Sequence, residues 1–176
     1  MRKLVYSVAT SLDGYIAGPS GEFDWITPDP AIDFKALFGR FDTLLMGRKT
    51  YDLMRSGGQT AKSMGMKSIV VVSTTLDPNE HRDVQVLRDH ITETVAQLKR
   101  EPGKDIWLFG GGVLFRTMLD AGLVDRVELA VLPILLGSGL PVIPEGRRTH
   151  LHLEESKALP SGTILLKYSI LTAMSV

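Results

Sequence analysis

The chain of 176 residues contains no cysteine. That absence excludes disulfides, a thiol nucleophile and a thiolate-held metal. Charge of either sign is not in surplus: twenty Lys and Arg offset twenty Asp and Glu. The excess positive charge that nucleic-acid or anionic-membrane binding exploits is therefore missing. No apolar run approaches the roughly 20 residues that cross a bilayer. The N-terminus, Met1-Arg2-Lys3-Leu4, runs directly into a strand pattern rather than the apolar centre of a leader peptide. There is no internal repeat, no G-x-G-x-x-G and no Walker lysine-serine pair. With 44% hydrophobic and 23% charged residues, the composition fits one globular unit over residues 1–176. We expect a soluble cytoplasmic protein that meets a small molecule, with neither nucleic acid nor membrane as partner.

What the chain does have is a pair of glycine turns. Leu44-Leu45-Met46-Gly47-Arg48-Lys49-Thr50-Tyr51 and Trp107-Leu108-Phe109-Gly110-Gly111-Gly112-Val113-Leu114-Phe115 each run from an apolar strand through glycine into a helical pattern. Such a turn aims backbone N–H groups and the positive end of a helix at one spot, which suits a phosphate or diphosphate. A tight structural turn needs glycine as well. Three consecutive glycines opening a helix sacrifice propensity, however, and close backbone approach to a ligand is the compensation that fits.

Between the turns the pattern alternates. Leu4 to Ala9 reads as a buried strand, followed by a glycine-rich, lid-like loop over Ser11 to Gly21 and a helical stripe from Pro30 to Phe41. Thr43 to Met46, Ser68 to Ser73, Val84 to Leu87, Ile106 to Phe109 and Val124 to Leu132 read as strands. Helices are expected after Gly47, on the Ile91, Val95, Leu98 face, and on the Leu114, Met118, Leu119 face, the last ended by Gly122. Leu151 to Ser156 and Thr163 to Leu171 flank Pro160-Ser161-Gly162 as a closing hairpin. The class is α/β: a mostly parallel sheet flanked by helices, with a C-terminal antiparallel hairpin.

Four segments in order, Ser11-Leu12-Asp13-Gly14-Tyr15-Ile16-Ala17, Met46-Gly47-Arg48-Lys49-Thr50-Tyr51, Phe109-Gly110-Gly111-Gly112 and Leu132-Pro133-Ile134-Leu135-Leu136-Gly137-Ser138-Gly139-Leu140-Pro141, resemble the dihydrofolate reductase superfamily. Within it, the chain resembles the reductase domain of riboflavin biosynthesis, the RibD C-terminal domain. The resemblance implies a central sheet of about eight strands and NADPH bound in extended form. It implies that Gly47, Arg48, Lys49 and Thr50 meet the diphosphate and the adenosine 2′-phosphate, with Arg48 as the selector for NADPH over NADH. Ser73 and Thr74 would stand beside the ribose phosphate, Gly110, Gly111, Gly112 and Val113 at the diphosphate, and Ala9 and Ile16 along the nicotinamide. A cis peptide between the first two glycines is also implied. Read from charge alone, Arg48 and Lys49 in a first turn oppose the helix dipole, a conflict that an anion would resolve.

On the substrate side the chain departs from both branches. Folate reductases carry an acid on the first helix, which Asp29 and Asp33 flank here, and a hydroxyl where this chain has Ala130. The riboflavin branch has a lysine where this chain has Ser7 and an Asp-Asp-Pro segment that is missing here. No deaminase half is encoded, since its zinc site requires cysteines. Asp13 and Asp33 are the candidate catalytic acids, with Asp13 equally readable as an Asp-Gly turn former. Trp25 and Phe34 are the candidate substrate-binding residues, Trp25 also fitting a core anchor. Tyr51 reads as a buried helix residue. His150-x-His152 lacks a third ligand nearby and reads as surface strand, so no metal is expected. The apolar Leu132 to Leu140 segment could pack against a second copy, and a homodimer is expected. Two functions remain open: an NADPH-dependent reductase acting on a small heterocycle or carbonyl compound, and a non-catalytic NADP(H)-binding sensor or scaffold.

Overall fold

The computed structural model describes residues 1–171. Its elements are β1 (Leu4–Ser11), β2 (Tyr15–Ala17), α1 (Phe34–Gly39), β3 (Phe41–Gly47), α2 (Arg48–Ser56), β4 (Ser68–Val72) and β5 (Gln85–Leu87), then α3 (Ile91–Arg100), β6 (Asp105–Gly110), α4 (Gly112–Asp120), β7 (Arg126–Leu132), β8 (Leu140–Pro141), β9 (Leu151–Ala158) and β10 (Ile164–Ile170). The main sheet has eight strands in the order β5-β4-β3-β6-β1-β7-β10-β9. The first six run parallel; β10 and β9 close it antiparallel. This is the mostly parallel α/β sheet with a closing antiparallel hairpin that the alternating pattern predicts, and it has the eight strands that the resemblance implies.

Parallel strands lie under helices on both faces, which is why β4 reads Ser-Ile-Val-Val-Val with Ile69, Val70 and Val71 buried. Successive β1 residues divide between two cores. Leu4 and Tyr6 join Leu45, Leu108, Val95 of α3 and Leu114, Phe115 and Met118 of α4. Val5 joins Leu44, Met46, Trp107 and Tyr51 and Met54 of α2. Tyr6 stacks on Phe115 with ring centroids 4.0 Å apart and donates to the Val142 carbonyl at 2.9 Å. Gly122, with φ 68°, ends α4 in the expected left-handed turn, its N–H donating to Leu119.

Two segments differ from their pattern. The helical stripe from Pro30 to Phe41 yields only Phe34–Gly39, because Asp29 folds back on the Ala31 N–H at 2.8 Å and accepts the Ser161 hydroxyl, which holds the chain before α1 in a turn. The lid-like loop contains β2, paired with β8 in a second, two-stranded sheet. Among the described residues no helix is long and apolar enough to cross a membrane.

Near the start of β3, Asp42 is a buried carboxylate. It pairs with Arg2 and accepts the Thr43 hydroxyl at 3.0 Å and the Lys104 N–H at 3.0 Å. Burial pushes this carboxyl up, but those donors, with the charges of Arg2 and Lys67, outweigh it and hold it below the usual carboxylate range. A lowered folded value contributes stability above the unfolded value of about 3.9, and the contribution is lost as pH falls through the folded value. Asp42→Ala therefore costs about 3–5 kcal/mol in urea unfolding at neutral pH, since it leaves the buried Arg2 unpaired. The gap from wild type narrows below about pH 4.

Candidate functional site

The strands β3 and β6 lie side by side, with Met46 opposite Gly110. From β3 the chain crosses through α2 to β4 on one side; from β6 it crosses through α4 to β7 on the other. Because crossovers share one hand, opposite directions put α2 and α4 on opposite faces, as their separate cores confirm. Their N-termini open at the carboxyl edge of the sheet where the winding reverses, the place where open α/β sheets bind ligands.

Gly47 caps α2 and Gly111 caps α4; neither helix has a side-chain cap or an acid in its first turn. The two caps have φ of −81° and −95°, a region open to any residue. A Cβ on Gly47 would meet nothing within 4 Å, and one on Gly111 only Thr50 Oγ1 at 4.0 Å. Their neighbours are different. Gly110 has φ 148° and a cis bond to Gly111, and a Cβ on Gly112 would stand 3.0 Å from the Pro141 carbonyl and 3.0 Å from Pro144 Cδ. The fold thus explains Gly110 and Gly112 but not Gly47 and Gly111. What the latter pair keeps clear is space before two uncapped helix N-termini, a cradle for an anion.

Around that cradle, Thr50 faces Gly110 and Gly111, Lys49 is exposed, and Val113 is 77% exposed in the first turn of α4. Arg48 is not waiting for an external anion alone, because its Nε pairs with both oxygens of Asp52 at 2.8 Å. Asp52 was legible as an i,i+4 partner and was missed. Ser73 follows β4 directly, yet its hydroxyl accepts the Thr75 and Leu76 N–H groups at 3.2 and 3.0 Å and shapes the turn, leaving Thr74 as an exposed hydroxyl. Tyr51 is fully buried, its hydroxyl 3.1 Å from His81 Nδ1.

On the substrate side, the sheet places Ala9 opposite Ala130, with Ser7 opposite Glu128 one step along the same face. Glu128 is a residue the sequence reading overlooked. It is buried and held by both terminal nitrogens of Arg40, at 2.8 and 2.5 Å, just after α1. Arg40 is in turn kept firmly protonated, the Glu128 hydrogen bonds outweighing its desolvation. Phe38 of α1 packs on Trp107 at 5.5 Å, and Phe34 packs on Phe38 at 6.1 Å while staying 38% exposed. The indole N–H of Trp25 is buried without a partner.

The three acids are all engaged. Asp33 is the N-cap of α1 and accepts the Ala36 N–H at 2.9 Å. Asp29 is tied to Ser161, and that hydroxyl, with the Ala31 N–H, keeps its carboxyl below the usual range. Asp13 accepts the Ser11 hydroxyl at 2.6 Å and the N–H groups of Leu136 and Gly137 at 3.1 and 2.7 Å. Led by the Ser11 hydrogen bond, these hold the Asp13 carboxyl below the usual range as well. Hydrogen bonds of this kind favour the ionised form of both carboxyls. The Leu132 to Leu140 segment is also bonded to this same loop, Ile134 accepting the Leu12 N–H at 2.9 Å.

The chain is 34% identical to uncharacterized protein YyaP of Bacillus subtilis, the match covering 95% of this chain and 94% of that one. Among solved structures it superimposes on a Shewanella sp. PV-4 protein named for riboflavin biosynthesis with a TM-score of 0.80 at 29% identity, covering 98% and 100% of the two chains. It shares its fold with the dihydrofolate reductase of Enterococcus faecalis complexed with NADP(H), with a TM-score of 0.69 at 19% identity and 96% of each chain covered. The model of the RibD C-terminal domain matches residues 2–165, from the buried Arg2 to the start of the last strand, and the chain belongs to that family.

Proposed function

We propose that this chain is an NADPH-dependent reductase that delivers hydride to a polarised C=N or C=O bond of a small pterin-like, pyrimidinone-like or carbonyl substrate. The observation that carries the reading is the pair of glycines, Gly47 and Gly111, that the fold does not require and that clear two helix N-termini at the winding reversal. Two such termini a strand apart suit the two phosphates of a dinucleotide. The dihydrofolate reductase that shares this fold, complexed with NADP(H), supports the same choice.

In this reading the N–H groups of the first turns of α2 and α4 hold the diphosphate, with Val113 against its flank. Arg48, Lys49 and Thr74 face the adenosine 2′-phosphate, where a guanidinium fork matches phosphate oxygens. Asp52 fixes the Arg48 side chain through Nε, so less rotamer freedom is lost on binding. Bound NADPH would supply the hydride. Ala9 and Ile16 border its nicotinamide. Two alanines facing each other across β1 and β7 leave the sheet low enough for a flat ring to lie between it and Phe34, with the free Trp25 N–H as a donor to an acceptor on that ring. With Asp13, Asp29 and Asp33 all engaged, the proton is assigned to water. That same engagement favours the second reading, a cofactor-binding sensor without turnover.

Loss of cofactor absorbance, measured with pterins, pyrimidinones and ketones, separates the two: the reductase reading requires turnover with at least one class, and tight NADPH binding with none moving overturns it. Gly111→Ala keeps its fold, with stability within about 1 kcal/mol of wild type because the added methyl meets only Thr50 Oγ1, at an ordinary contact distance of 4.0 Å, and φ already suits it. Its NADPH affinity in calorimetry falls tenfold or more. Gly112→Ala instead loses about 1–3 kcal/mol of stability through overpacking on Pro141 and Pro144. Arg48→Ala weakens NADPH by about 1.5–3 kcal/mol and leaves NADH nearly unchanged; equal losses for both cofactors remove Arg48 as the selector.

A further inference from the structure

We propose that Asp13 is a positioning residue: its carboxylate clasps the segment 12–18 to the segment 133–139 and so fixes where Ile16 stands against the nicotinamide half of the cofactor. The inference rests on the NADPH reading above, but its geometry stands apart from it.

Three donors converge on this one side chain, and both of its oxygens are used. Ser11 Oγ donates to Oδ1 and itself accepts the Tyr15 N–H at 2.9 Å, so the carboxylate sets the start of β2. The Leu136 N–H donates to Oδ1 and the Gly137 N–H to Oδ2, from a position more than 120 residues later in the chain. Two backbone hydrogen bonds extend the same seam, Leu12 N–H to Ile134 at 2.9 Å and Val142 N–H to Gly14 at 2.8 Å. Beyond them Tyr15 pairs with Pro141 and Ala17 with Leu140. At Gly139 the two segments come so close that a Cβ would fall 2.1 Å from the Ala17 carbonyl. None of these bonds joins two strands of the main sheet. Asp13 itself is exposed, as are Leu12 and Leu135 at 65% and 68%, so little apolar burial holds the seam and its polar bonds matter more. Ile16 lies inside β2, between the contacts that the carboxylate and Gly139 define.

The clasp depends on an acceptor-only group. An amide in place of the carboxylate turns one oxygen into a donor, which would then face an N–H donor of Leu136 or Gly137. Asp13→Asn, nearly the same in shape, should therefore behave like Asp13→Ala.

The test pairs two ligands: NADPH, and 2′-phospho-ADP-ribose, which has the same adenosine, 2′-phosphate and diphosphate but no nicotinamide. In calorimetry both variants should lose about tenfold or more in NADPH affinity, while 2′-phospho-ADP-ribose stays within about twofold of wild type. Limited proteolysis of the ligand-free variants should cut within residues 133–139 about tenfold faster than wild type. Equal weakening of both ligands would mean a fold-wide effect and overturns the proposal, as does wild-type affinity together with wild-type cleavage. Should the wild type bind neither ligand, the cofactor reading falls and takes the nicotinamide role of Asp13 with it. The proteolysis then still decides whether Asp13 holds the two segments together.

Discussion

Neighbouring strands that send their chains in opposite directions create a gap no helix of the fold can fill. In this protein β3 and β6 are that pair, and the helices that follow them leave on opposite faces. Each helix begins with backbone N–H groups that have no intrahelical acceptor. Elsewhere a Ser, Thr, Asp or Asn side chain commonly takes one of them; here both caps are glycine. Two uncapped helix starts one strand apart concentrate positive potential at the carboxyl edge of the sheet. The anion cradle, the arginine beside it and the small residues on the neighbouring strands all take their positions from this reversal.

The other polar groups of the molecule hold that edge in place from a distance. Arg2 and Asp42 lock the far end of the sheet, where β1, β3 and β6 begin. Arg40 and Glu128 tie the end of α1 to β7 beside the low Ala9 and Ala130 floor. Removing one partner of a buried pair costs more than the pair itself contributes. Such pairs therefore fix geometry more than they add stability, which fits residues placed around a site and outside it. Asp13, Asp29 and Asp33 also shape the chain locally: each accepts at least one backbone N–H at a turn or helix start.

The strand-glycine-helix pattern at Gly47 and Gly111 was legible in the sequence because every residue that makes it is local. So were the eight strands, the closing hairpin and the Gly122 stop. What could not be read was which glycine the fold itself needs, because the atoms that crowd Gly112 belong to Pro141 and Pro144. The span of α1 was overestimated for the same reason: the hydroxyl that holds Asp29 in a turn lies 132 residues away. Asp13 reads equally as a candidate acid and as an Asp-Gly turn former until its amide partners, 123 and 124 residues away, are known. Glu128 gave little sign of its role, since one acid two residues after Arg126 in a mostly apolar strand looks like a surface charge until Arg40 is placed on it. Asp52 is the exception, a local partner of Arg48 that helical spacing alone could have identified.

A crystal structure of the protein with NADPH bound tests the central claim most directly. The account predicts the diphosphate between Gly47 and Gly111, within hydrogen-bonding distance of first-turn N–H groups of α2 and α4, with the nicotinamide over Ala9. A cofactor bound elsewhere, with the space before both helices left to solvent, would contradict it.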